Sequence, residues 1–178
     1  MEFDKLIQER RSVRSYDAQK KVTEEQITEL IKAMQLAPTW KNFQPGRYYA
    51  VLDGEKLEQV RTGCLPEFNQ KNCEGAALIV TTFQLNRSGF NKEGIADNEV
   101  GNFWGAYDLG LQNAYLVLKA ADMGLYTLSM GIRDGEALKK ELEIPENEEV
   151  MSVIAVGYGN GQKVLHPRKE LEKILKVF

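Results

Sequence analysis

Several residue types and segments are scarce in this chain of 178 residues, and each scarcity excludes a class of function. It has one histidine and two cysteines, Cys64 and Cys73, none at metal-ligand spacing, so we predict free thiols and no metal site. No run approaches the ~20 apolar residues that cross a bilayer. The net charge of −3 argues against a general nucleic-acid surface, which is normally strongly basic. We therefore expect neither a membrane nor a nucleic-acid partner.

The N-terminal stretch MEFDKLIQERR lacks the apolar core and the small-residue cleavage site of a secretory signal. A cytoplasmic protein is therefore expected. Hydrophobic residues make up 43% of the chain and charged residues 28%, which is typical of a globular domain. The length fits one domain over residues 1–178 with a sizeable core.

Helix and strand patterns alternate along the chain. Apolar residues at helical spacing follow a capping box formed by Thr23 and Gln26, and predict a helix that Pro38 ends. Further helices are predicted over 55–62, 104–124, 134–142 and 168–178, and strands over 47–52, 76–83, 125–130 and from residue 150 onward. Residues 84–101 are polar and irregular, and indicate a mobile cover. This alternation places the fold in a mixed α/β or α+β class.

Two short basic clusters lie near opposite ends of this acidic chain. The first, ERRSVRSYD, has three arginines and two serines within residues 9–17; the second, LHPRKEL, contains His166 and Arg168. Arginine supplies paired donors and serine a hydroxyl, so the two clusters could converge on one phosphate. The alternative is two unrelated solvated patches.

Two other stretches invite a ligand interpretation. APTWKNFQPG, residues 37–46, sets side-chain amides beside aromatic rings, which suits a flat heteroaromatic ligand. By itself it is also compatible with an ordinary loop. GYGNGQ follows a strand, but its glycine spacing is not G-x-G-x-x-G and no helix pattern comes directly after it. A Rossmann dinucleotide site is therefore not predicted.

Four motifs follow one another in a particular order along nearly the whole chain. They are RRSVR at 10–14, APTWKNFQP at 37–45, DLGLQN at 108–113 with a Gly-Leu turn at 124–125, and GY followed by PRK within 157–169. This ordered set resembles the nitroreductase family of FMN-dependent oxidoreductases. The resemblance implies an α+β sandwich, with a central, mainly antiparallel sheet flanked by helices, that forms an intertwined homodimer with FMN at the interface.

The resemblance also implies which residues contact FMN. At the phosphate these are Arg10, Ser12 and Arg168, with Arg11 and His166 alongside; at the pyrimidine edge they are Arg14 and, on a looser match, Lys71. The partner chain would supply Pro38, Thr39, Trp40 and Asn42, while Ser129, Met130 and Gly131 would line the ring near N5. Two positions depart from the family: Gly46 stands where tryptophan is frequent, and His166 where lysine is common.

The implied reaction is hydride transfer from NADH or NADPH to flavin N5, and then to a nitroaromatic, a quinone or a similar planar acceptor, in a ping-pong scheme. The cofactor carries the chemistry, and no side chain need act as an acid or a base. Two alternatives remain open at this point. One is a flavin-binding or storage protein with little turnover, and the other is a phosphate-binding module without flavin.

Overall fold

A computed structural model describes residues 2–159 and 164–178. Within them, six α-helices and four strands form the fold: α1 (Phe3–Glu9), α2 (Glu24–Met34), β1 (Gly46–Val51), α3 (Gly54–Cys64), α4 (Glu67–Asn72), β2 (Ala77–Gln84), α5 (Phe103–Asp122), β3 (Tyr126–Met130), α6 (Gly135–Glu141) and β4 (Glu148–Gly157). Short 3-10 turns occur at Trp40–Asn42 and Leu171–Lys173.

The four strands form one antiparallel sheet in the order β1-β2-β4-β3. Side chains alternate across it with the strand period of two. Leu78 and Val80 of β2 pack on one face, while Ala77 and Ile79 pack on the other. Both faces are buried, which explains why β2 is a continuous apolar run in the sequence.

Helices cover each face of the sheet. On one face, Val60 of α3 and Leu138 of α6 are fully buried in the first core cluster. On the other face, Leu30 of α2 and Leu116 of α5 are fully buried in the second. The prediction of an α+β sandwich, with an antiparallel sheet flanked by helices, is therefore confirmed.

Local signals in the sequence agree with the structure at several helix ends. Thr23 accepts a hydrogen bond from the Gln26 main-chain N–H at 3.3 Å, and the Gln26 side chain accepts one from the Thr23 N–H at 3.1 Å. This is the predicted capping box of α2. Gly124, at φ 75°, follows α5 in the left-handed region that the turn requires.

The predicted C-terminal helix over 168–178 is wrong. The structure has only the 3-10 turn Leu171–Lys173 there, and Ile174 and Phe178 are among the exposed apolar side chains. An amphipathic helix is stabilised mainly by burial of its apolar face, and none of the described residues covers the apolar side chains of this region. Helix α4 was not predicted, because six residues are too few to show a periodic pattern.

The first arginine motif lies along the edge of the sheet. Ser12 forms a parallel bridge with Thr127 of β3, and the Val13 N–H donates to the Thr127 carbonyl at 3.1 Å. Tyr16 bridges Gly159 just beyond β4. Val13 is buried, whereas Ser12 and Arg14 on either side of it are exposed and face outward. Across the described residues, no helix is both long and apolar enough to cross a membrane.

Candidate functional site

The structure brings the two basic clusters of the sequence together. Arg168, from the C-terminal region, lies close enough to Arg10 for their charges to interact, as does Arg11. Arg10 is half-buried, whereas Arg168 is exposed. The alternative of two unrelated patches is therefore not supported, although 158 positions separate Arg10 from Arg168 in the sequence.

These arginines bring several positive charges close together. Burial, and then the like charges of Arg11 and Arg168, lower the pKa of the Arg10 guanidinium. Among the described residues, Arg10, Arg11, Arg14 and Arg168 have no carboxylate within ion-pair distance. A half-buried cation with cationic neighbours favours an anion as its partner. We call Arg10, Arg11 and Arg168 the arginine cluster.

The arginine cluster borders a cleft of about 140 Å³. Thr127 and Gly124 line the cleft together with Arg10 and Arg11, and so does Glu9, whose carboxylate lies 3.9 Å from Lys5 Nζ. Ser12, which pairs with Thr127 along β3, lies next to it and is exposed. Guanidinium groups and hydroxyls donate hydrogen bonds to phosphate oxygens, so the groups in this part of the chain suit a phosphate ligand.

The residues expected beside a flavin ring occupy the end of β3 and the residues after it. Ser129 and Gly131 are exposed, and Met130 is buried. Asn69 of α4, which is 5% exposed, donates a hydrogen bond from its amide to the Ile132 carbonyl at 2.8 Å. Asn69 therefore fixes the chain just after Gly131. Sequence reasoning missed this residue; a buried amide in a short polar helix has no periodic signal.

Lys71 and His166, two further residues expected at the site, are both exposed. Lys71 is exposed on α4 and pairs with Glu67 at 2.7 Å. That pairing is a solvated i,i+4 contact, typically worth only ~0.3–0.5 kcal/mol, so it leaves the lysine available. His166 is exposed in a stretch without regular secondary structure, two residues before Arg168.

A second part of the site is the 39–43 turn, which precedes β1. Lys41 and Asn42 adopt φ values of 46° and 57°, and Gln44 directly after the turn adopts 49°. Left-handed conformations of this kind are costly for residues other than glycine and persist only where neighbours hold them. One such contact is internal: the Thr39 hydroxyl oxygen accepts the Gln44 N–H at 3.1 Å. Pro38 and Asn42 are exposed beside this hydrogen bond.

Trp40 is the anchored residue of the 39–43 turn. Its main-chain N–H donates to Asp108 Oδ2 at 2.9 Å. Its ring lies 4.6 Å from the ring of Trp104, centroid to centroid. The indole Nε1 of Trp40 is buried and has no hydrogen-bond partner among the described residues. Asp108 belongs to the DLGLQN motif, but the sequence assigned it no role, and only the structure shows its contact with Trp40.

The 84–101 segment is irregular, as predicted, but several contacts attach it to its surroundings. Phe90 and Ala96 form an antiparallel bridge, and Asn91 Oδ1 accepts main-chain N–H groups of the intervening turn. Asn98 Oδ1 accepts the Trp104 indole N–H at 2.9 Å. Lys41 Nζ lies 2.7 Å from Asp97 Oδ2. The segment thus packs against the 39–43 turn.

The glycine at the position where tryptophan is frequent has a local explanation. A Cβ at Gly46 would lie 2.3 Å from Gln112 Oε1. Gln112 is 2% exposed, so it has little room to move away. In this chain, Gly46 therefore gives space to the side chain of Gln112 on α5.

The arginine cluster and the 39–43 turn lie far apart in one chain. Asp108, near the start of α5, holds the turn, whereas Ala121, near its end, lines the cleft beside the cluster. The axial rise between these two residues is about 20 Å at roughly 1.5 Å per residue. The turn also precedes β1, while the cluster borders β3 at the opposite edge of the sheet.

The fold and the site together define an α+β sandwich with a cluster of arginines at one sheet edge. The sequence profile described as the Nitroreductase family matches residues 7–158. The match covers most of the chain, and the chain belongs to the nitroreductase family. The family prediction from the four ordered motifs is confirmed.

Several curated proteins and solved structures are similar to this chain. A protein of Archaeoglobus fulgidus, provisionally named NADH dehydrogenase/NAD(P)H nitroreductase, is 29% identical over 89% of this chain and 86% of its own. The FMN reductase (NAD(P)H) of Bacillus subtilis strain 168 is 26% identical over 97% and 72%, respectively. A nitroreductase family protein of Streptococcus pneumoniae has the same fold, with a TM-score of 0.86, 19% identity and coverage of 99% and 100%.

Proposed function

We propose that this protein is an FMN-dependent oxidoreductase that takes hydride from NADH or NADPH and reduces nitroaromatics, quinones or similar planar acceptors. The observation that carries the proposal is the arginine cluster: Arg10 is half-buried beside Arg11 and Arg168, and no described carboxylate neutralises them. An enzyme of this family needs a fixed anion-binding end for its cofactor, and this cluster supplies one. The names of the relatives, which include an FMN reductase and an NAD(P)H nitroreductase, agree with the cofactor and the donor.

The roles of the chain's residues follow from their chemistry. Arg10 and Arg168 would bind the phosphate through charge-assisted hydrogen bonds, and Ser12 through its hydroxyl. Arg11 and His166 would add positive charge or donors at the rim. When bound, FMN supplies two-electron chemistry that accepts hydride from the nicotinamide and passes it to the acceptor in ping-pong fashion.

Other residues would set the properties of the flavin ring. Arg14 faces outward from the same segment and would lie at the pyrimidine edge, where a fixed cation stabilises negative charge and raises the potential. Lys71 would act in the same direction. The exposed stretch from Ser129 to Gly131 would border the ring near N5, with Met130 anchoring it in the core.

We propose that two copies of the chain build each site. The arginine cluster and the 39–43 turn lie at opposite sheet edges, about 20 Å apart along α5. One ligand placed between two copies could meet the cluster of one chain and Pro38, Thr39, Trp40 and Asn42 of the other. The C-terminal apolar side chains that the single chain leaves exposed, such as Leu175 and Phe178, favour the same conclusion, because a second copy would bury them.

The experiment that tests the function is anaerobic reduction of the FMN-loaded protein. NADH or NADPH should bleach the visible flavin absorbance rapidly, and a nitroaromatic or a quinone should restore it over repeated cycles. Bleaching too slow to support turnover would instead favour the flavin-storage alternative. Protein that takes up no added FMN would contradict both and leave a phosphate-binding module.

The shared site has its own test in subunit complementation. Arg10→Ala and Asn42→Ala variants, each weakened at a different end, should recover part of the activity when mixed under conditions that exchange subunits, because one of the two sites in the mixed dimer is then intact. An FMN-loaded protein that sediments as a stable monomer would contradict the proposal.

A further inference from the structure

The 39–43 turn depends on one buried carboxylate. Asp108 on α5 is 2% exposed, and its Oδ2 atom accepts two hydrogen bonds. One comes from the Trp40 main-chain N–H at 2.9 Å and the other from the Ser88 hydroxyl at 2.6 Å. Ser88 itself is 1% exposed. A single oxygen atom thus joins α5, the 39–43 turn and the 84–101 segment.

The conformation of the turn gives this contact its importance. Lys41 and Asn42 are left-handed, and such residues keep that conformation only when the surrounding contacts over-determine it. On their C-terminal side, the Thr39 hydroxyl oxygen holds the chain by accepting the Gln44 N–H. Trp40, directly before the two left-handed residues, donates its N–H to Asp108, and loss of that acceptor would free the chain on this side of them.

A second line of contacts links the same two segments. The rings of Trp40 and Trp104 lie 4.6 Å apart, and Asn98 of the 84–101 segment holds the Trp104 indole. Arg87 lies 4.8 Å from the Phe43 ring centroid. These contacts are apolar or partly exposed, whereas the Asp108 side chain is 2% exposed and its hydrogen bond from Ser88 is buried. Asp108 is therefore the contact whose removal should cost the most.

We propose that Asp108 is a positioning residue: its buried carboxylate fixes the 39–43 turn and couples it, through Ser88, to the 84–101 segment. If the proposed function holds, Asp108 sets how the turn meets the flavin ring without itself touching the flavin. A change in the 84–101 segment would then reach the ring through Ser88 and Asp108. This segment acts as part of the site wall rather than as an independent cover.

The chain offers a direct probe, because Trp40 and Trp104 are its two tryptophans. Indoles this close couple their electronic transitions and give an exciton couplet in the far-ultraviolet circular dichroism. Asp108→Ala should reduce the couplet strongly and speed hydrogen exchange of the Trp40 amide about tenfold or more. Asp108→Asn, which keeps an oxygen acceptor, should retain most of the couplet.

Two further variants separate positioning from a general loss of stability. Thr23→Ala removes the cap of α2 and should lower the melting temperature while leaving the couplet unchanged. Ser88→Ala should increase exchange in the 84–101 segment more than at Trp40. An unchanged couplet and unchanged Trp40 exchange in Asp108→Ala would overturn the proposal. If that variant does not fold, rapid Trp40 exchange in the unmodified protein would overturn it equally.

The flavin arm uses the FMN-loaded protein. Asp108→Ala should shift the flavin reduction potential or the acceptor KM while weakening FMN binding less than Arg10→Ala does. A changed couplet with an unchanged potential and KM would show that the turn does not act on the ring, and would overturn that half of the inference. If the unmodified protein binds no FMN, the proposed function fails, whereas the couplet and exchange results still decide whether Asp108 holds the turn.

Discussion

Substitution of Arg168 by alanine separates the roles of the arginine cluster in binding and in folding. Arg168 is exposed and has no described carboxylate partner, so its loss removes no stabilising ion pair. Its charge instead opposes that of Arg10, whose pKa is lowered by burial and by its cationic neighbours. Without ligand, the free energy of unfolding should therefore change by no more than about 0.5 kcal/mol, and in the direction of greater stability.

The effect on cofactor binding should be much larger. Loss of a charge-assisted contact to phosphate costs about 1.5–3 kcal/mol of binding free energy, which raises the dissociation constant roughly 10- to 150-fold. Arg10→Ala should weaken FMN binding to a similar degree, but it also alters a half-buried position. Higher salt should narrow the difference in FMN affinity between the unmodified protein and Arg168→Ala, because ions screen the attraction between Arg168 and the phosphate.

The assay is fluorescence titration of FMN at two salt concentrations, paired with denaturant unfolding of the ligand-free protein. Lys169→Ala is the matched control, since it removes the same charge one position away at a residue assigned no contact. It should change FMN affinity only slightly. Unchanged affinity in both arginine variants would refute the shared phosphate site, as would an equal loss in Lys169→Ala.

Three further predictions concern separate features of the chain. Burial raises the pKa of the Cys73 thiol to about 11; the neutral thiol is favoured in the fold, so its stabilising contribution is lost as pH rises from roughly 8.5 to about 11. Denaturant unfolding should thus show a smaller loss over that window in Cys73→Ala, and an equal loss would contradict it. Gly46→Ala should lower the free energy of unfolding by about 1–3 kcal/mol, because the new Cβ meets Gln112, and Gln112→Ala should restore part of that loss. Thr39→Ala and Asn42→Ala should change the flavin potential or the acceptor turnover more than FMN affinity; affinity losses as large as that of Arg10→Ala would assign the 39–43 turn to the phosphate instead.

Local signals explain why much of the fold could be predicted from the sequence. The capping box at Thr23 and the left-handed Gly124 act within one turn of chain, and both lie where the structure needs them. The continuous apolar run of β2 reflects burial on both faces of the sheet. Such features depend on neighbouring residues or on simple periodicity, which a single sequence displays.

Long-range contacts explain what could not be predicted. The pattern of residues 168–178 is amphipathic, but its apolar side chains stay exposed in the described part of the chain, and the helix does not form. The hydrogen bond from Trp40 to Asp108 joins residues far apart in sequence. An aspartate in a largely apolar helix carries no sequence signal that identifies its partner. The same holds for Asn69 and the Ile132 carbonyl. The ordered motifs indicated the site, whereas only the fold shows what positions it.

The proposed site depends on the arginine cluster binding the phosphate of FMN. The measurement that tests it most directly compares FMN with riboflavin, which has the same ring and no phosphate, in equilibrium titrations of the ligand-free protein. FMN should bind at least about tenfold more tightly than riboflavin, and Arg168→Ala should remove most of this preference. Equal affinity for the two flavins, or a preference that survives in Arg168→Ala, would contradict it.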